Sequence, residues 1–188
     1  MLELKNVTFA YDNQKILNDF SLTVNDGECV QLYGISGCGK TTIARLLLGL
    51  EAPISGKINT PEKISVVFQE DRLLENTDIQ NNIRLPLSSD QFDFADKLLK
   101  EFDLYDERKK LISKLSGGMK RRVALIRAIA YGGDALILDE AFNGLDSTNK
   151  TIAANVIKRE FIEKNKPVLL ITHVKEDAEL FNTKTVFL

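Results

Sequence analysis

Cysteine and histidine are nearly missing from this 188-residue chain, which has two of the first, Cys29 and Cys38, and one of the second, His173. The cysteines lie nine residues apart with no CxxC spacing, so neither a zinc site nor a disulfide framework is supported. A reducing compartment is the default that follows. No apolar run approaches the roughly 18 residues that would span a bilayer. The opening Met1-Leu2-Glu3-Leu4-Lys5 has no basic-then-apolar signal pattern. If the protein acts at a membrane, something else crosses it. A surplus of one charge is missing too: 25 lysines and arginines stand against 27 aspartates and glutamates, a net charge of −2. That balance argues against living on nucleic acid through bulk charge. There is no linker, internal repeat or low-complexity segment. What is present is an ordinary globular composition, 44% apolar and 28% charged, in a length that suits one domain or one domain carrying an insertion.

Leu2, Leu4, Val7, Phe9 and Tyr11 alternate with polar residues as in a half-buried strand, with a phase change near Asn6. Ser21–Val24 and Glu28–Tyr33 read as two strands of a hairpin, because Asn25-Asp26-Gly27 supplies the positive φ angles of a tight turn. From Gly39, the residues Ile43, Leu46, Leu47 and Leu50 recur at the spacing of one helix face. Pro53-Ile54-Ser55-Gly56 breaks that pattern, and Ile64–Phe68 suits a buried strand. Residues 71–127 hold helical patterns such as Ala95, Leu98, Leu99 and Phe102. Then Ala135–Leu138, a helix over about Thr148–Lys164, Val168–Ile171 and Thr185–Leu188 resume the α/β alternation. The expected architecture is a mostly parallel sheet covered on both sides, with an N-terminal β portion and a helical insertion.

Gly34-Ile35-Ser36-Gly37-Cys38-Gly39-Lys40-Thr41 fits G-x-x-x-x-G-K-[ST] between a predicted strand and a predicted helix, followed by Thr42. Glycines let successive N–H groups curl inward onto phosphate oxygens, and the helix start adds partial positive charge. Lys40 would reach the β- and γ-phosphates, and the Thr41 hydroxyl would ligate Mg²⁺. The loop needs only the backbone of Cys38. Ala135-Leu136-Ile137-Leu138-Asp139-Glu140 ends a buried strand in two carboxylates, at the edge where open α/β sheets bind ligands. Asp139 would hold Mg²⁺, and Glu140 could polarise an attacking water. Ser116 is a good N-cap, and Met119, Val123, Ile126 and Ala130 have helical spacing, so a second helix start with exposed N–H groups lies at Gly117 and Gly118.

With those two motifs in place, Leu115-Ser116-Gly117-Gly118-Met119 makes the chain resemble, over nearly its whole length, the nucleotide-binding domain of an ATP-binding cassette (ABC) ATPase. The resemblance implies a P-loop NTPase (RecA-like) core at 1–70 and 128–188, with 71–127 as a helical subdomain carrying the signature. It makes Tyr11 the aromatic that stacks on adenine and Gln69 the glutamine that senses Mg²⁺ and the attacking water. Asp146, in Asn143-Gly144-Leu145-Asp146, becomes the acid that meets the opposite subunit. His173 becomes the switch that bonds the γ-phosphate. Ser116 and Gly118 of one subunit would close over the γ-phosphate held by Lys40 of another, with ATP and Mg²⁺ between them. Met119 and Arg121 stand where the family commonly has glutamine, and Ala141 where it has proline. Lys120-Arg121-Arg122 reads as a solvated charge run.

The segment Gln69-Glu70-Asp71-Arg72-Leu73-Leu74-Glu75, with Asn82, Pro86 and Met119, resembles the ATPases of bacterial nitrate, sulfonate and taurine importers. The implied partners are an integral-membrane permease, docking around Gln69–Leu87, and a second ATPase subunit, the same chain in the simplest case. Nucleic acid is not expected, and the implied place is the cytoplasm, on the inner face of the membrane. The alternative is a soluble ABC ATPase acting on ribosomes or DNA, but such proteins typically carry a coiled-coil insertion or two cassettes. A small-molecule P-loop kinase would need neither Leu115–Gly118 nor His173. Family chains usually run some tens of residues past the last strand, so a weak, ATP-dependent dimer or a monomer is expected.

Overall fold

A computed structural model describes residues 1–12 and 14–188. The chain opens with β1 (Leu2–Tyr11) and β2 (Gln14–Val24), which pair antiparallel. It turns into β3 (Cys29–Tyr33), the loop at 34–39 and α1 (Lys40–Leu47). β4 (Ser55–Asn59) returns to the free side of β1, making a three-stranded sheet of order β2-β1-β4. The phase change at Asn6 is a bulge: the register slips between Leu4 and Val7, Asn6 takes φ 51°, and its N–H donates to Ser21 Oγ.

β5 (Ile64–Val67) enters a second sheet. Three helices follow, α2 (Ile79–Arg84), α3 (Phe92–Glu101) and α4 (Gly117–Tyr131), before β6 (Ala135–Asp139). The chain continues through α5 (Ser147–Ile157), a π-helical extension at Lys158–Ile162, β7 (Val168–Ile171), α6 (Lys175–Glu179) and β8 (Lys184–Phe187). The second sheet is parallel throughout, in the order β5-β6-β7-β3-β8.

Both faces of that sheet are buried along β3, β6 and β7, which is why these strands read as nearly continuous apolar runs, unlike the exposed edge strand β8. Ile137, Leu169 and Ile171 face a core shared with α1 and β1, whereas Leu136, Leu138 and Leu170 face the core of α3, α4 and α5. Alternate residues of one strand thus serve two cores. α4 continues past position 127 to Tyr131 without a break.

Three expectations are corrected. The turn at Asn25–Gly27 forms, with Glu28 N–H donating to the Asn25 carbonyl, but it joins no hairpin. β2 pairs with β1, and β3 sits between β7 and β8 in the other sheet. A tight-turn sequence fixes the reversal and not the partner; β3, buried at four of its five positions, needs cover on both faces, unlike the alternating β2. Leu50 does not extend the face of α1. The helix stops at Leu47, closed by the Gly49 and Leu50 N–H groups on the Leu46 and Arg45 carbonyls, a Schellman ending. Leu50 is left 52% exposed. Finally, Arg121 is buried, at 8% exposure, so the run at 120–122 is not a solvated face.

Candidate functional site

The carboxyl ends of β3, β6 and β7 and the start of α1 surround one cleft of about 590 Å³. Sequence reading placed twelve residues here that line it: Tyr11, Gly34, Ser36, Gly37, Gly39, Lys40, Thr41, Thr42, Gln69, Asp139, Glu140 and His173. Cys38 lies in the same loop, half-buried with a free thiol. The loop's shape comes from Gly37 and Gly39, at φ 81° and 109°, angles that side chains resist. Gly39 is also the N-cap of α1 and has no side chain to cap it, so the first-turn amides stay available to an anion. The Lys40 ammonium is buried and donates to the Gly34 and Ile35 carbonyls at 2.7 and 2.9 Å. It lies within the loop, as a phosphate-binding lysine must.

Opposite the loop, Thr41 Oγ1 donates to Asp139 Oδ2 at 2.9 Å. Asp139 is 1% exposed. Burial pushes its carboxyl above the ordinary value, the Thr41 hydrogen bond opposes that, and the neighbouring Glu140 adds to it. A hydroxyl and a carboxylate, with the Gln69 amide on the same cleft, are hard oxygen donors of the kind Mg²⁺ takes, alongside substrate phosphates and water. Glu140 follows at φ 51°, a sparsely populated angle for a non-glycine residue. Its Oε1 lies 2.8 Å from His173 Nδ1, and its Oε2 accepts from Asn143 Nδ2 at 3.3 Å. A carboxylate only accepts, so Nδ1 carries the proton in this contact.

The remaining expected residues lie elsewhere. Ser116, Gly118 and Asp146 line a separate shallow pocket of about 140 Å³ with Met119, Arg122 and Asn149, and Gly117 is exposed beside it at the start of α4. Ser116 caps α4, its Oγ accepting from Met119 N–H at 3.3 Å. Asp146 caps α5: its carboxylate takes the Asn149 backbone N–H and side-chain amide, each at 2.8 Å. These bonds, the backbone one first, hold the Asp146 carboxyl below its ordinary value.

Some residues escaped sequence reading. Ile16 and Tyr33 line the cleft, and Asn143 bonds Glu140. Buried Asp177 joins Lys150 Nζ at 2.6 Å to Thr172 Oγ1 at 3.3 Å, bracing the strand end that precedes His173. In the sequence Asn143 reads only as part of the 143–146 motif, and its place in the turn after β6 is what turns it to Glu140; nothing local marks the Lys150–Asp177 pair, whose members lie 27 residues apart.

A parallel sheet with a glycine loop opening a helix after β3, and paired acids at the end of β6 two strands away, defines a P-loop nucleotide-binding protein of the α/β class. Residues 17–143 match the family described as ABC transporter, and the chain belongs to that family, the ABC ATPases. The aliphatic sulfonates import ATP-binding protein SsuB 1 of Rhodococcus jostii (strain RHA1) is 35% identical over 193 residues, spanning all of this chain and 78% of that one. The taurine import ATP-binding protein TauB of Escherichia coli (strain K12) is 33% identical over 202 residues, spanning all of this chain and 79% of that one. Among solved structures, the ATP binding subunit of an ABC transporter superposes with a TM-score of 0.93 at 27% identity, covering all of this chain and 85% of that one. The dimeric bacterial ABC transporter cassette MJ0796 superposes at 0.87 and 25% identity, covering all of this chain and 94% of that one. A structure of MJ0796 in a post-hydrolysis state, bound to ADP and Pi, matches equally.

Proposed function

We propose that this chain binds and hydrolyses ATP with Mg²⁺ as one of two ATP-binding subunits that drive solute import through a separate integral-membrane permease. One observation carries the reading: the groups that could bind and cleave a triphosphate converge on one cleft, while the signature turn and Asp146 line another surface. A second copy placed head to tail supplies the missing half of each pocket, with two-fold symmetry if the copies are identical. Relatives named for sulfonate and taurine import favour transport over work on ribosomes or DNA. Among the described residues no helix is long and apolar enough to cross a membrane, so the membrane passage belongs to the partner. The chain then works from the cytoplasm, against the inner face of the membrane.

In this mechanism Tyr11 receives the adenine, while the loop amides and Lys40 hold the β- and γ-phosphates. Thr41, Asp139 and Gln69 would hold Mg²⁺, which neutralises charge on the phosphates. Glu140 accepts a proton from water as the water oxygen attacks the γ-phosphorus; the bond to the β-bridging oxygen breaks, giving ADP and phosphate. His173 Nδ1 is committed to Glu140, leaving Nε2 for a γ-phosphate oxygen. Ser116 and Gly118 of the second copy close over that phosphate, with Gly117 and Asp146 beside them. The helical portion, read from the sequence as 71–127 and carried by α4 on to Tyr131, swings as one piece on the rest of the chain. The test is phosphate release by the purified chain without a phosphoacceptor, lost in Glu140→Gln. Purification from detergent-solubilised membranes should bring an integral-membrane protein with it; ribosomes or DNA in its place would contradict the transport reading.

A further inference from the structure

The loop that carries Gln69 leaves the parallel sheet after Val67. Among the described residues, Gln69 to Leu73 make no main-chain hydrogen bond. Unpaired backbone must be satisfied some other way. Here two arginines of α4 do it. Arg121 donates to the Phe68 and Gln69 carbonyls at 2.8 and 2.5 Å, and Arg127 donates to the Asp71 and Arg72 carbonyls at 3.0 and 2.9 Å. The Arg121 side chain is 9% exposed, with Nε 3.2 Å from Asp71 Oδ1. Neighbours in the basic run point elsewhere, Lys120 to Glu75 and Arg122 to the Phe102 carbonyl.

We propose that Arg121 is a positioning residue: it ties Gln69, which serves this chain's own nucleotide pocket, to the helix whose first residues serve the second copy's pocket, so that the two shift together. The inference rests on the two-copy reading above. Ser116 precedes Arg121 by five residues, roughly 7.5 Å along a helix, and Val123, Ala124, Leu125 and Ile126 are each at most 2% exposed. Such packing lets α4 move only as a body. A planar guanidinium bridges two successive carbonyls at once, which a lysine ammonium or a glutamine amide does less well. Arg127 holds only the outer half of the loop, beyond Gln69.

The experiment compares Arg121→Ala, Arg121→Gln and Arg121→Lys with the wild-type full chain in the rate of tryptic cleavage after Arg72, in amide hydrogen exchange of α4, in kcat and KM for ATP, and in the Hill coefficient. Tryptic cleavage after the exposed Arg72 should rise about tenfold in Arg121→Ala while the amides in the buried turns of α4 stay protected from exchange. The kcat should fall by about ten- to a hundredfold, with KM for ATP little changed and the Hill coefficient moving towards one. Should Arg121→Ala not fold, Arg121→Lys, which keeps a cation beside Asp71, takes its place and should lose the same kcat in part. A folded variant with wild-type kcat and Hill coefficient overturns the proposal, as does a loss of kcat with unchanged cleavage after Arg72. The two-copy reading is tested apart, by the mass of Glu140→Gln with ATP. A monomer there ends both readings, whereas a dimer combined with a fully active Arg121→Ala ends this one alone.

Discussion

Glu140 and His173 close on each other across two adjacent parallel strands, Oε1 to Nδ1 at 2.8 Å, although 33 residues separate them. The strand ends of β6 and β7 place the pair, and Asn143 and the Lys150–Asp177 bridge steady it from either side. On the proposed function, an acceptor held against an imidazole beside the glycine loop is an arrangement that would aim a water.

His173→Ala should therefore lower kcat by about a hundredfold, within the range of general acid–base effects, while nucleotide affinity changes by less than about threefold. Steady-state kinetics together with fluorescent-nucleotide displacement check this. Turnover above about a third of the wild type, which is under about 1 kcal/mol in barrier, would take His173 out of the reaction.

Thr41→Val removes a hydroxyl that bonds Asp139 and would share the metal with it. Half-maximal turnover should require about ten times more Mg²⁺, read from a magnesium titration at saturating ATP. Excess chelator should stop turnover in the wild type. An unshifted titration would separate Thr41 from the metal.

Burial in the core beside β7 pushes the Cys29 thiol up to about 12 from 9.0, partly opposed by Lys158. The sign follows from linkage: between those values the folded chain keeps a proton that the unfolded chain loses, so stability falls as pH rises above 9.0. From about pH 8 to about pH 10 the wild type should lose about 1 kcal/mol more than Cys29→Ala. Urea unfolding at both pH values measures the difference; equal losses would contradict it.

Asn82 is 1% exposed and braces the segment after Gln69: its Oδ1 accepts from Leu74 N–H, and its Nδ2 donates to the Leu74 and Asp78 carbonyls and to Thr77 Oγ1. Asn82→Leu strands these groups and should cost about 2 kcal/mol or more, a fall in Tm of roughly 4–8 °C for a chain of this size. Calorimetry checks it, and an unchanged Tm would show that the segment is held by other means.

How much of this was legible depended on whether the cause was local. The glycine loop, the Asp139-Glu140 strand end and the Ser116 cap are each set by neighbours within a few residues, and each stands where the pattern put it. Partner choice was not local. Asn25-Asp26-Gly27 announced a reversal correctly, but which sheet received β3 was decided by burial on both its faces. Nor did anything beside Arg121 reveal that the Phe68 and Gln69 carbonyls, more than fifty positions earlier, would need it as a donor. Resemblance to a family located Gln69, yet only the fold showed how that residue is held.

The most direct test of the central claim is the mass in solution of the Glu140→Gln variant, by sedimentation or light scattering, with Mg²⁺ and saturating ATP. Two copies enclosing nucleotide predict a dimer under those conditions, monomer once ATP is removed, and no dimer when Ser116 is also replaced by a bulky residue such as phenylalanine. A monomer that binds ATP fully and stays monomeric would contradict the shared site.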